Sequence, residues 1–315
     1  MERREFLKVG GASVAFGLSG CVEPVQDVLP GEEEPSDNNM DDEQPEVLVY
    51  RDLVPESGYR ESDGVLAIHV DLDALEAAYS DPYRAYDGLP LQENEVALST
   101  GNALLSVEPV IDDSLNDNHP LSFDVKSGLG FNSDSDDLGV SEYLLVENIL
   151  FLRTDLTVQT LETTYDMTEV ESSEQFGTYA DTTGSYYAGF NGEWLAVPLE
   201  DANNSSLMQD VNNTVNNDGL YDGPFGDAFG DRGDGIVDVA AWKSGLDGVV
   251  SSGSSDVSGI ASSAFFDNGV ETSTGILFSD GTTDFVDDVG QDAESRDEQQ
   301  DGTVVTVTTT WNQNE

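Results

Sequence analysis

"SYYAGFNGEWLAVPL", residues 185–199, carries the clearest local instruction in the chain. Aromatic and aliphatic runs flank Asn191-Gly192, a pair that tolerates the positive φ angles of a type I′ turn, so the stretch predicts a β-hairpin. Upstream, "EYLLVENILFLRT" (142–154) is apolar enough to predict one or two strands buried in the middle of a sheet. Thr154 or Asp155 is placed to cap a following helix that carries Val158, Leu161 and Tyr165, with a threonine- and glutamate-rich outer face. Downstream, a helix from Ser206 groups Leu207, Met208, Val211 and Val215 on one side and ends near Asn217 and Gly219.

Further out the pattern continues. "VLVYRDLVP" (47–55) reads as an early strand and "DGVLAIHV" (63–70) as a clearer one. "DLDALEAAY" (71–79) follows as a helix with Leu72, Leu75 and Tyr79 on one face, Asp73 and Glu76 at capping-box spacing, and Asp81-Pro82 as its stop. Residues 112–141, rich in Asp, Asn, Ser and Gly, read as long loops. In "SAFFDNGVETSTGILF" (263–278) a second Asn-Gly pair, Asn268-Gly269, again separates strand-like runs. "TTDFVDDV" (282–289) then echoes "SSLMQDV" (205–211), so the second part replays the order of the first, which raises an internal duplication. "TVVTVTTTW" (303–311) is a last strand, reached through an acidic linker. Strands interleaved with single helices predict an α+β fold of antiparallel sheets with helices on one face, as two duplicated ferredoxin-like units. The expected divisions are 1–20, 21–46, a first α+β unit over 47–217 and a smaller one over 218–315.

Charge decides the solvent. The 315 residues hold 11 Lys plus Arg against 64 Asp plus Glu, a formal net charge of -53, with three lysines in all. In dilute buffer such self-repulsion works against a compact state. Disorder accounts for residues 22–46, where "EEEPSDNNMDDEQPE" has almost nothing to bury. It does not account for the recurrent apolar segments, so the remainder reads as a fold built for concentrated salt, where the Debye length falls to ~3 Å at 1 M. The eight basic residues outside the first 21 positions cannot make a basic stripe, which argues against nucleic acid as a partner.

The N-terminal stretch Glu2 to Cys21 is a poor helix, interrupted by Gly10, Gly11, Gly17 and Gly20. As a targeting segment it has a part for every residue class. Arg3, Arg4, Phe6, Leu7 and Lys8 resemble the twin-arginine export signal, and Leu18-Ser19-Gly20-Cys21 resembles a lipobox. The apolar run between them is well short of the ~20 residues that span a bilayer. Together with the acidic composition, these motifs resemble the secreted lipoproteins of haloarchaea. That resemblance implies a signal peptide over 1–20, lipidation of Cys21, a tether over 21–46, and attachment to the outer face of the cell membrane. Cys21 is the sole cysteine, so no intrachain disulfide is expected.

Chemistry is less legible. His69 and His119 are the two histidines. His69 shares one strand face with Val65 and Ala67 and reads as a partly exposed sheet histidine, while His119 precedes Pro120 in a loop. There is no G-x-S-x-G elbow and no pair of histidines at zinc-helix spacing. Residues 216–238 fail the EF-hand pattern, since taking Gly235 as sixth puts Gly230 first and Arg232 third. Asp227, Asp231, Asp234 and Asp238 remain candidates to converge on Ca2+ or another hard cation, against the alternative of a solvated acidic linker. No other cofactor is expected. Asn203, Asn204 and Asn212 lie in N-x-S/T sequons and are candidate glycosylation sites. The sequence thus points to an envelope-anchored, non-enzymatic module that binds an envelope protein partner or supports a surface assembly, with Tyr186, Tyr187 and Trp194 as candidate contact aromatics, against the alternative of ordinary core packing, which is the stronger reading of those three. A solute-binding lipoprotein of a transporter and a secreted hydrolase are the alternatives.

Overall fold

The structure is a computed structural model. It describes residues 48–56, 64–78, 111, 114–129, 138–173, 175–199, 205–216, 219–229, 235–248, 256–266, 270–278, 286–287, 289–291 and 293–311. Among the described residues twelve strands form one sheet: β1 (Val65–Asp71), β2 (Glu142–Val146), β3 (Ile149–Arg153), β4 (Met167–Glu171), β5 (Gly177–Asp181), β6 (Tyr187–Phe190), β7 (Trp194–Pro198), β8 (Val237–Trp242), β9 (Val257–Phe266), β10 (Val270–Phe278), β11 (Ser295–Asp301) and β12 (Val304–Trp311). Their spatial order is β11-β12-β10-β9-β8-β1-β2-β3-β7-β6-β5-β4. Every pairing is antiparallel. Five α-helices accompany them among the described residues: α1 (Leu72–Ala78), α2 (Ser122–Gly128), α3 (Val158–Thr163), α4 (Ser205–Asn216) and α5 (Pro224–Phe229). The α+β class with antiparallel sheet is therefore observed.

Helices cover both faces of the sheet, not one. On the face of Val65, Ala67 and His69, the side chains of Phe151, Trp194, Ala196 and Trp242 pack under Met208 and Val211 of α4, Phe225 and Phe229 of α5, and Leu53 and Val54. On the opposite face Ile68, Val70, Leu145, Leu152 and Val197 pack under Leu75 of α1, Val125 of α2 and Leu161 of α3. The reason lies in the runs Leu144–Val146, Ile149–Leu152 and Trp194–Pro198, buried at every position: strands apolar on both faces need cover on both. The connectivity is that of meanders, with β9 to β10 and β4 to β7 each pairing in sequence, and not the split βαβ arrangement of ferredoxin-like units. Strands before and after residues 217–218 pair directly, β1 with β8.

Several local expectations give way for identifiable reasons. Residues 50–53 form a 3-10 turn, Tyr50–Leu53, instead of a strand. Asp71 caps α1, its Oδ1 accepting from the Ala74 N–H at 2.8 Å. Thr157 caps α3 through its hydroxyl, which leaves Val158 exposed and Leu161 buried. Residues 112–141 include α2, and the acidic stretch near 300 includes β11. At the opening hairpin Gly192 has φ of 98° but Asn191 does not enter the positive region, so the turn is not type I′. Asn191 acts through its side chain, Oδ1 accepting from the N–H of Glu193 (2.9 Å) and Trp194 (2.7 Å).

Candidate functional site: a buried histidine between two carboxylates

β1 lies mid-sheet, and its register gathers charge around His69. Asp238 on β8 is the direct partner of His69, while Glu142 on β2 sits two positions from its other partner, Leu144, on the same face. Arg153 on β3 is in turn the partner of Glu142. His69 is 5% exposed and Asp238 3%, so the partly exposed histidine expected from strand alternation is instead buried. What buries it is the chain before β1. The Tyr50 ring stacks on the imidazole at 3.8 Å between centroids and 6° between planes.

The polar contacts are specific. His69 Nε2 lies 3.2 Å from Glu142 Oε2, and Nδ1 faces Asp238 Oδ2 at 3.5 Å, an ion-pair contact without hydrogen-bond alignment. The Tyr50 hydroxyl donates to Asp238 Oδ2 (3.1 Å) and accepts from Arg51 Nε (3.4 Å). The Gly235 N–H donates to Asp238 Oδ1 at 3.2 Å. The Arg51 guanidinium lies 5.4 Å from the Tyr221 ring centroid. Arg153 donates to Glu142 Oε1 at 2.7 Å and also pairs with Glu193. With His69 protonated, two cations, His69 and Arg153, meet three carboxylates, Glu142, Asp238 and Glu193, and Arg51 reaches the cluster through the Tyr50 hydroxyl, in a chain that has few cations to place.

Electrostatics follow from the geometry. Burial alone would lower the His69 pKa, but Asp238 and Glu142 together overcome it and hold the pKa above its usual 6.5. Burial likewise pushes Glu142 up, and its bonds to His69 and Arg153 overcome that push and keep its carboxyl below the ordinary value. Tyr50 and Tyr221 are driven upward, chiefly by burial, so both hydroxyls stay protonated. Both imidazole nitrogens face carboxylates and one ring face is covered, so the site holds a charge without presenting a base to a substrate.

His119, the other histidine, is 6% exposed. Its Nδ1 accepts from the Leu121 N–H at 3.2 Å, which leaves the proton on Nε2, facing the Tyr187 carbonyl at 3.2 Å. Burial lowers its pKa, opposed by the Tyr187 carbonyl and by Asp181. Asp227 is exposed on α5, whereas Asp238 belongs to a strand with its oxygens engaged by Tyr50 and Gly235, not to an irregular cation loop. Asp231 and Asp234 lie outside the described residues, as do Arg3, Arg4, Phe6, Leu7, Lys8, Cys21, Asn203 and Asn204. Among the described residues no group of three histidine, cysteine or acidic side chains is arranged to hold a metal ion, and no helix is long and apolar enough to cross a membrane. Asn212 is described. Its Nδ2, the atom a glycan would occupy, donates to the Phe176 carbonyl at 3.1 Å, and its Oδ1 accepts from the Phe176 N–H at 2.8 Å. Trp194 is fully buried, its Nε1 donating to the Leu48 carbonyl at 3.2 Å, so it offers no surface to a partner.

Sequence reasoning passed over Tyr50, Arg51, Glu142, Arg153 and Glu193. The signal that would have found them is strand register, which alternation alone does not reveal. No protein-family model matches the chain, and no curated protein matches it. Among solved structures it is similar to crystal form I of TP0453, with a TM-score of 0.44 and 8% identity, covering 84% of this chain and 93% of that one. Crystal form III of TP0453 is similar at a TM-score of 0.43 and 8% identity, covering 82% and 92%.

Proposed function

We propose that this protein is a halophilic, cell-surface lipoprotein, exported through its twin-arginine segment and anchored by a lipidated Cys21, that serves as a non-enzymatic binding or structural module. One observation carries the non-enzymatic part. Both histidines, the side chains best suited to proton transfer near neutrality, are buried and committed to neighbours within the fold. The anchoring part rests on residues 2–21, and the halophilic part on a net charge of -53. The partner is an envelope protein, and one diacylated cysteine supplies the two chains needed for stable attachment.

The test is recovery of the native protein from host envelopes in mild detergent at multimolar salt, followed by mass spectrometry of the N-terminus and of co-purifying proteins. A Cys21→Ala strain is the control. The expected result is a lipidated N-terminal Cys21, a stoichiometric envelope partner, and loss of the variant from the membrane fraction. An unmodified Cys21, or a variant that stays in that fraction, overturns the anchor. Recovery with a bound small solute in place of a protein partner turns the reading toward a solute-binding lipoprotein, and substrate turnover by the purified chain toward a hydrolase.

A further inference from the structure

The turn between β6 and β7 holds one amide in an unusual setting. Asn191 Oδ1 accepts two backbone N–H groups at once, from Glu193 at 2.9 Å and from Trp194 at 2.7 Å. The second donor is fixed by the core: Trp194 is fully buried, its indole donates to the Leu48 carbonyl, and its own carbonyl accepts from the Asn191 N–H at 3.3 Å. The rest of the turn is unconstrained. Among the described residues neither Asn191 Nδ2 nor the Gly192 N–H has a hydrogen-bond partner. Gly192 is exposed, and beyond its chain neighbours no atom lies within 4 Å of where a Cβ would stand. We propose that Asn191-Gly192 is a self-modifying site, at which the protein converts this asparagine amide into a carboxylate through a cyclic imide, with the Glu193 and Trp194 N–H groups as oxyanion donors.

Each step has its atom. The Gly192 nitrogen gives its proton to water or hydroxide and attacks Asn191 Cγ, forming a C–N bond. Negative charge develops on Oδ1, where two N–H groups already stand at the distances that stabilise such an oxyanion, about 2.7–3.1 Å. The Cγ–Nδ2 bond then breaks, Nδ2 takes a proton from water, and ammonia leaves. A further water opens the imide at either carbonyl, so the sum is amide plus water giving carboxylate plus ammonia. A side chain at 192 would screen the attacking nitrogen, and a hydrogen bond on its N–H would retain the proton; the turn has neither. Asn212 is the contrast. Its Nδ2 is held by the Phe176 carbonyl, its Oδ1 by the Phe176 N–H, and the nitrogen that follows it belongs to α4. The two products of ring opening differ in effect. Ordinary aspartate keeps an oxygen that accepts both N–H groups, more strongly for its charge. Isoaspartate lengthens the main chain by one carbon at the turn that sets the register of β6 on β7.

The test incubates the full chain in mildly alkaline buffer at multimolar salt, beside a free peptide of residues 185–199 as the reference without fixed donors. Peptide mapping by mass spectrometry, with an enzymatic assay for isoaspartate, reads conversion at each asparagine. The expected result is conversion at Asn191 in the protein at a rate equal to or above that of the peptide, yielding both products, with Asn212 unchanged over the same time. A rate in the protein below that of the peptide would show that the hairpin shields the amide. Conversion of Asn212 in step with Asn191 would show that the turn selects nothing. Either outcome overturns the proposal.

Discussion

An imidazole taken out of water ordinarily prefers to be neutral, and His119 follows that rule while His69 does not. The difference is what stands beside each ring: an amide N–H and a carbonyl at His119, two carboxylates at His69. Because the chain has two histidines, histidine-selective 13C labelling gives two ring signals, and one is expected to titrate above pH 6.5 and the other below. Their effects on stability have opposite signs. The contribution of His69 is fully present below pH 6.5, the unfolded value, and is lost as pH rises through its folded pKa. That of His119 is neutral above 6.5 and becomes a cost as pH falls from there toward its lower folded pKa. Two signals titrating together near 6.5 would show that neither environment acts as described. The strand face carrying His69 was legible from alternation with Val65 and Ala67, but its burial was not. Cover came from Tyr50, a residue outside the strand and inside a stretch that reads as a strand itself.

Packing between elements turns on where a strand lacks a side chain. A Cβ at Gly259 of β9 would lie 2.6 Å from Cε3 of the Trp242 indole, which is pinned edge-on to Phe225 of α5. At Gly189 of β6 the nearest obstacle is Met208 Sδ of α4, at 2.8 Å. A rigid indole cannot step aside and a thioether can, so Gly259→Ala is expected to destabilise by about 1–3 kcal/mol and Gly189→Ala by less. Denaturant midpoints at fixed salt measure both, and equal losses would contradict this account. The elements themselves were largely legible: β2, β3, β6, β7, β9, β10 and β12 coincide with apolar runs and Asn-Gly turns. Their order was not. Nothing in the local pattern of Val237–Trp242 announces that it pairs with Val65–Asp71 and so places Asp238 beside His69, because register depends on which partner arrives and not on the strand alone.

Taken whole, the sheet ends in two strands of similar character. β11 is exposed at all seven positions and β4 at four of five, with acidic residues in each, which blunts the two edges of the sheet formed by the described residues against pairing with another chain. The same acids must be screened. Lowering the salt from about 1 M to about 0.1 M lengthens the Debye length from ~3 Å to ~10 Å, so the thermal midpoint is expected to fall steeply over that range. Buried pairs such as His69 with Asp238 are screened far less, so Asp238→Asn is expected to lower the midpoint without changing its slope against salt. A slope that tracked the mutation would move the salt effect from the surface to the interior. The pairing of β1 with β8 also has a history. While the ribosome still holds the last third of the chain, the strand that will occupy the centre of the sheet is an edge, and its histidine has met one of its two acids. Such long-range closure is slow to reach. Completing the sheet is, in effect, the arrival of Asp238 beside His69.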